Sequence, residues 1–267
     1  MRQAVIVSAA RTPIAKAYRG AFNDTEATAL SGHVAAEAVR RAGVDPASLE
    51  DVIVGCAAQQ GTQGYNIGRL TAAAAGFPDS VAGMALDRMC ASGLMAIATA
   101  SKQIADDGME VVVAGGVESI SLTQNKHKNA YRARNESVLA RSPHMYMQMI
   151  ETAELVADRY GISREAQDQY SYQSQQRTAA AQAAGRFNAE LAPLTTRKQV
   201  VDKATGAISH ETVTLTADEG PRASTTLENL AALEPVFKDG DVIKQGRHIT
   251  AGNASQLSDG AAAVVLM

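Results

Sequence analysis

Short, almost wholly apolar runs at residues 3–8, 51–55, 84–86 and 110–114 alternate with alanine-rich stretches whose apolar residues recur at helical spacing. No feature of the chain narrows its fold more. A strand with no polar face has to be covered on both sides, which calls for a mainly parallel sheet with helices on both faces, an α/β fold. The spacing predicts a helix over 25–42, where Leu30, Val34, Ala38 and Ala42 recur every four residues and Gly43 supplies the stop. A second helix is expected over 65–75, closed by Gly76 and Pro78, and a third over 90–106 with Leu94, Ile97 and Ile104 facing inward. A count of 21 Gly and no Trp suits close packing of helix on sheet.

After Ser119 the pattern changes. Residues 120–148 are polar, irregular and locally basic. Helices are expected over 152–160 and 164–184, each ended by a glycine (Gly161, Gly185), with Ser163 as N-cap of the second. Residues 190–197 and 208–215 can pair as strands around Lys203-Ala204-Thr205-Gly206, and strand character returns at 261–267. The expected organisation is a core of residues 1–120 completed by 247–267, carrying an inserted α+β domain over 121–246. The closing apolar strand is expected to find its next neighbour outside this sequence.

Composition removes several function classes. Apolar residues make up 46% of the chain, and 25 basic against 28 acidic residues leave a net charge of -3. A large core is therefore available, and a globally basic surface for nucleic acid is excluded. Apolar runs reach only seven or eight residues, as at 261–267, too short to span a membrane. Residues 3–7 read as a buried strand rather than a signal peptide. Two cysteines, Cys56 and Cys90, form neither a disulfide framework nor a CxxC pair. The expectation is a soluble cytoplasmic protein with no nucleic-acid or membrane partner. No histidine–cysteine cluster has metal-ligand spacing, and Gly115-Gly116 is not a dinucleotide fingerprint.

The segment Leu86-Asp87-Arg88-Met89-Cys90-Ala91-Ser92-Gly93-Leu94 carries the most chemistry. A strand ends, a sharp turn follows, and Cys90 stands where the alanine-rich helix begins. Unpaired N–H groups there, with Arg88 nearby, favour thiolate over thiol, and the small residues after Cys90 leave room for a substrate. A nucleophile between strand and helix is exposed and has backbone donors aimed at an oxyanion. A buried apolar cysteine is the alternative, and it is the one assigned to Cys56.

These residues resemble a known family. Cys90-Ala91-Ser92-Gly93-Leu94 with Ala96-Ile97 is similar to the acyl-enzyme signature of thiolases, the acetyl-CoA acetyltransferases and 3-ketoacyl-CoA thiolases. Ser8-Ala9-Ala10-Arg11-Thr12-Pro13, Ala114-Gly115-Gly116-Val117-Glu118-Ser119, Thr250-Ala251-Gly252-Asn253-Ala254-Ser255 and Ser258-Asp259-Gly260-Ala261-Ala262 follow the same family in its order. The resemblance implies one half of the layered thiolase fold, with an inserted CoA-binding loop domain. It implies acyl transfer between CoA thioesters through an acyl-cysteine at Cys90, in thiolytic cleavage of a 3-ketoacyl-CoA or condensation of acetyl-CoA, as part of fatty acid metabolism. Arg222, in Glu219-Gly220-Pro221-Arg222, resembles the family's nucleotide-contacting arginine, and Ser255 the serine that bonds the pantetheine arm. Ala254 and Met149 are carried over as further CoA contacts. CoA is then substrate, no separate cofactor is implied, and a dimer or tetramer of this chain is expected.

Departures accompany the match. Asp87 stands where thiolases have Asn, Met149-Ile150-Glu151-Thr152-Ala153-Glu154 replaces the family's Met-Gly-X-Thr-Ala-Glu, and Gln148-Met149 replaces a His–Met pair. A second β/α half, with its Asn-Glu-Ala-Phe, Gly-His-Pro and Cys-X-Gly motifs, is missing, so this chain alone is expected to turn over poorly. None of His33, His127, His144, His210 and His248 stands in a Gly-His-Pro context, and each reads as a surface or structural histidine. Lys126, Lys128, Arg132, Arg134 and Arg141 against the single acid Glu136 suit either CoA phosphates or a solvated loop. The rival functions are a non-catalytic acyl-CoA-binding fragment or split subunit needing a C-terminal partner, and a β-ketoacyl synthase-like condensing enzyme.

Overall fold

A computed structural model describes residues 2–267. The chain divides into two units: Met1–Lys128 with Phe187–Gly220 and Leu257–Met267, and Asn129–Arg186 with Pro221–Gln256.

The first unit is a layered α/β structure. Its elements are β1 (Ile6–Arg11), β2 (Ala15–Lys16), α1 (Ala27–Ala42), β3 (Asp51–Gly55), α2 (Ile67–Ala74), β4 (Ala82–Leu86), α3 (Ser92–Lys102), β5 (Val112–Ser119) and the single turn α4 (Ile120–Thr123). The hairpin β6 (Leu194–Val201) and β7 (Ile208–Leu215) and the last strand β8 (Ser258–Leu266) complete it. The main sheet runs β1-β8-β5-β3-β4, with β2 also on β8. β3 is parallel to β4 and β5, and β8 is antiparallel to β1, β2 and β5, so β8 alone runs against the other strands.

Alternation along the strands divides the core in two. Val52, Val54, Val113, Ala261, Ala263 and Val265 point to the side covered by α1 and α2. Ile53, Val112, Ala114 and Leu266 point to the side covered by α3, against Ala96, Ala100 and Ile104. Helix α1 ends as its sequence requires: Gly43 takes φ +68° and donates its N–H to the Arg40 carbonyl. Leu94, expected to face inward, is 72% exposed, and the third helix is shorter than its pattern suggests. It leaves α geometry at Gln103, and one π turn, Gln103–Asp107, carries the chain to Gly108 at φ +84°.

Three expectations need correction. The first apolar run is not a buried central strand: β1 lies at the sheet edge, with Val5 54% and Ile6 56% exposed. Apolar character alone does not distinguish an edge strand from a central one. The last strand does not lack a neighbour either, because β8 is inserted between β1 and β5 and both its edges are paired. Finally, 187–220 belongs to the sheet-bearing unit, and 247–256 to the other. The hairpin β6–β7 turns Leu194, Val213 and Leu215 onto the α1 side of the core. Backbone bonds from Arg11 N–H to the Glu190 carbonyl and from Ala192 N–H to the Arg11 carbonyl fix its entry. The Asn23 amide bonds both the N–H and the carbonyl of Gln199 on the hairpin's edge.

The second unit is helical: α5 (Glu136–Arg141), α6 (Met149–Tyr160), α7 (Arg164–Ala183) and α8 (Leu227–Ala231). Ser163 caps α7 by accepting the Ala166 N–H, as its position suggests. Two buried carboxylates on one face of α6 anchor the irregular chain after α8. Glu151 accepts the N–H groups of Asp241, Val242 and Ile243, and Glu154 those of Arg247, His248 and Ile249. Among the described residues, no helix is long and apolar enough to cross a membrane.

Candidate active site

Glycines decide how the Cys90 turn meets the sheet. A Cβ on Gly55, the last residue of β3, would collide with the backbone of Ser92. A Cβ on Gly116 would lie 3.2 Å from Gly93 Cα. The start of α3 therefore rests directly on the end of β3 and the middle of β5. The turn itself is built from side-chain bonds. Asp87 Oδ1 accepts the Met89 N–H at 2.7 Å, and Ser92 Oγ accepts the Arg88 N–H at 2.8 Å while donating to the Met89 carbonyl at 2.6 Å. The N–H groups of Ala91 and Ser92 close back on the carbonyls of Arg88 and Met89. Met89 is left at φ +50°, a left-handed conformation that is uncommon for a residue with a side chain. Cys90 follows it, exposed, two residues before the first residue of α3 rather than inside the helix.

Cys56 is the opposite case. It is 1% exposed at the end of β3, and burial, reinforced by the Glu118 carboxylate, pushes its thiol up to about 12. Gln63 Nε2 bridges Cys56 Sγ at 3.0 Å and Glu118 Oε2 at 2.9 Å, and Glu118 Oε1 takes the Ala57 N–H. This polar knot was not legible in the chain, apart from an acid closing an otherwise apolar strand.

In the second unit, Arg222 lines a cavity of about 230 Å³ together with Ser224, Asn229, Leu230, Leu233 and Gly252. Ala254 and Ser255 line one of about 250 Å³, with Tyr170, Ser171 and Ser174 on α7. The two cavities share Gln175, Gly252 and Gln256. Gln175 Oε1 accepts the Arg222 backbone N–H at 2.7 Å, and Arg222 itself is exposed. Three of the residues carried over from the resemblance therefore meet around one turn, 251–256. Met149 does not join them: it opens α6, is 74% exposed and lines neither cavity.

The histidines have other occupations. His248 Nε2 pairs with Asp158 at 2.8 Å and His210 with Asp24 at 3.3 Å, His33 lies 3.3 Å from the Ala192 carbonyl, and His127 and His144 are exposed. In the basic stretch, Arg134 stacks over Tyr146 and pairs with Asp241. Among the described residues, no cluster of three His, Cys, Asp or Glu side chains could hold a metal ion.

An exposed cysteine on the turn between β4 and α3 of a layered α/β unit is thus the central feature of the site. The thiolase N-terminal domain family matches residues 4–267, and this chain belongs to that family. Its relatives include the 3-ketoacyl-CoA thiolase of Bacillus subtilis (strain 168), 38% identical over 268 residues, covering 100% of this chain and 66% of that protein. Among solved structures, the Bacillus anthracis acetyl-CoA acetyltransferase superposes with a TM-score of 0.80 at 36% identity, covering 100% of this chain and 66% of that one. The human mitochondrial 3-ketoacyl-CoA thiolase in complex with CoA superposes at 0.79 and 34%, covering 99% and 64%. The chain thus spans just under two thirds of the length of the proteins it matches.

Proposed function

We propose that this chain takes part in thiolase-type acyl transfer, with Cys90 as acyl acceptor and CoA held in the second unit by Arg222, Ala254 and Ser255. The reading is carried by one observation: an exposed cysteine on a side-chain-locked turn between β4 and α3, in a chain of the thiolase family. Cys90 Sγ attacks the thioester carbonyl carbon, the C–S bond to CoA breaks, CoA leaves as its thiol, and the acyl group remains on Cys90. In thiolysis of a 3-ketoacyl-CoA, Cys90 Sγ instead attacks the 3-keto carbon, the C2–C3 bond breaks, and acetyl-CoA leaves once C2 is protonated. A second CoA thiol then takes the acyl group from Cys90; condensation of acetyl-CoA is the reverse. The printed names of the relatives support CoA thioesters as the substrate class. Self-association into a dimer or tetramer belongs to the same reading; the exposed Val5, Ile6 and Leu94 support it, and sedimentation tests it.

Mass spectrometry of the chain after incubation with acetyl-CoA tests the reading. A gain of one acetyl group mapping to Cys90, absent from Cys90→Ala, is the expected result. CoA binding without acetylation would leave a binding module, and acetylation elsewhere would remove Cys90 from the reaction.

A further inference from the structure

The two cavities are framed by separate pieces of chain, Leu230 and Leu233 at the end of α8 and the turn 251–256. One carboxylate supports both. Asp168, one turn into α7 and 5% exposed, accepts Arg164 Nε on Oδ2 at 2.8 Å and Asn253 Nδ2 on Oδ1 at 3.0 Å. Arg164 Nη2 in turn donates to the carbonyls of Leu230 at 2.7 Å and Leu233 at 2.9 Å. Asn253 is fully committed: its Nδ2 also reaches the His248 carbonyl at 2.9 Å, and its Oδ1 accepts the Thr250 N–H at 2.8 Å. Between the two pieces there is no slack, since a Cβ on Gly252 would lie 2.5 Å from Leu230 Cδ2 and 2.6 Å from Leu233 Cδ1.

We propose that Asp168 is a positioning residue: through Arg164 and Asn253 it sets the spacing between the Arg222 wall and the Ser255 turn, so that one CoA molecule engages both at once. The inference rests on the reading that Arg222 and Ser255 contact CoA. Asp168 itself lines neither cavity. Two contacts on one ligand reinforce each other only when their separation matches the ligand, because the second contact then forms at high effective concentration. A carboxylate that accepts from both sides holds that separation. An amide in its place presents a donor to one of its two donors and breaks one link while keeping the shape.

Asp168→Asn in the whole chain, titrated with CoA and with its two halves, 3′,5′-adenosine bisphosphate and pantetheine, tests this. CoA should bind about tenfold more weakly than to wild type, while each half stays within about twofold, since each wall is intact and only their spacing is lost. Arg164→Gln, at a residue that lines neither cavity, breaks the chain of bonds from its other end and should act alike, with the double variant no weaker than either single one. It carries the test if Asp168→Asn does not fold. An unchanged CoA affinity overturns the inference, as does an equal loss for CoA and both halves. CoA binding that is indifferent to Arg222→Ala and Ser255→Ala overturns the underlying site assignment instead, which keeps the two failures apart.

Discussion

A buried carboxylate in each unit, Asp259 in one and Glu151 in the other, is shifted in opposite directions. In the sheet-bearing unit, Asp259 is fully buried and burial raises its pKa, against the bonds it accepts from the Ser121 N–H and hydroxyl. Cys56 is raised likewise, in a core that is mainly aliphatic with Phe22 and Phe77. In the helical unit, burial also pushes Glu151 up, but N–H donors from Val242, Ile243 and Asp241, with the charge of Lys244, outweigh it and hold the carboxyl below its ordinary value. Asp158 is lowered by Arg247 and His248. Asp259 sits within a largely apolar frame, whereas Glu151 gathers the N–H groups of an irregular segment. The cost of losing either group therefore depends on what surrounds it.

The sharpest break should appear between the cysteines. With its thiol pushed up to about 12, only about 10⁻⁵ of Cys56 is thiolate at pH 7. Iodoacetamide should therefore alkylate the exposed Cys90 about a hundredfold faster or more, and peptide mapping over time measures the ratio. Comparable labelling would remove the contrast between the two sites. Next in size is Glu154→Ala, which leaves the N–H groups of Arg247, His248 and Ile249 without their acceptor. It should cost about 3 kcal/mol in urea unfolding, with lost hydrogen-exchange protection confined to the helical unit.

Gly55→Ala probes the other unit and should cost about 2 kcal/mol, because the new methyl has only the rigid Ser92 backbone to displace. It should also slow Cys90 alkylation without affecting CoA binding, which calorimetry checks. The smallest effect is on pH dependence. Glu151 has a depressed folded pKa, so its contribution is present above its ordinary value of 4.5 and is lost as pH falls through the folded one. Asp259 has a raised folded pKa, so its contribution is present below 3.8 and is lost as pH rises. Hydrogen exchange, corrected for intrinsic rate, should show the helical unit loosening first on acidification toward pH 4. Glu151→Gln should flatten that trend, and loosening of the sheet unit first would reverse the comparison.

Much of the fold was legible before the structure. The glycine after α1, the serine before α7 and the buried run of β3 each express a local rule, and the structure places all three where that rule predicts. Strand β6 runs Leu194–Val201, four residues later than the expected 190–197, but β7 and the turn of the hairpin were likewise readable, with Asp202 accepting the N–H groups of Ala204 and Thr205 and Gly206 at φ +72°. The unit to which the hairpin belongs was not, because that depends on contacts with Arg11, Asn23 and the α1 face, all distant in sequence. The site divides in the same way. Cys90 and the 250–255 turn stood out by local pattern. The Gln63–Glu118–Cys56 knot and the Arg164–Asp168–Asn253 bridge did not, since each joins ordinary polar residues 55 to 85 positions apart.

The sequence by itself determined the alternation of strands and helices, the helix stops, the strand–turn–helix setting of Cys90 and, through its motifs, the family. These are properties of neighbours along the chain, where periodicity, caps and turn residues act over a few positions. Only the tertiary structure decided that β8 fills the gap between β1 and β5, that Met149 stands apart from the cavities, and that Asp168 joins their two supports. Those outcomes depend on which distant surfaces satisfy one another's hydrogen bonds and shape, and residue order alone does not encode that choice locally.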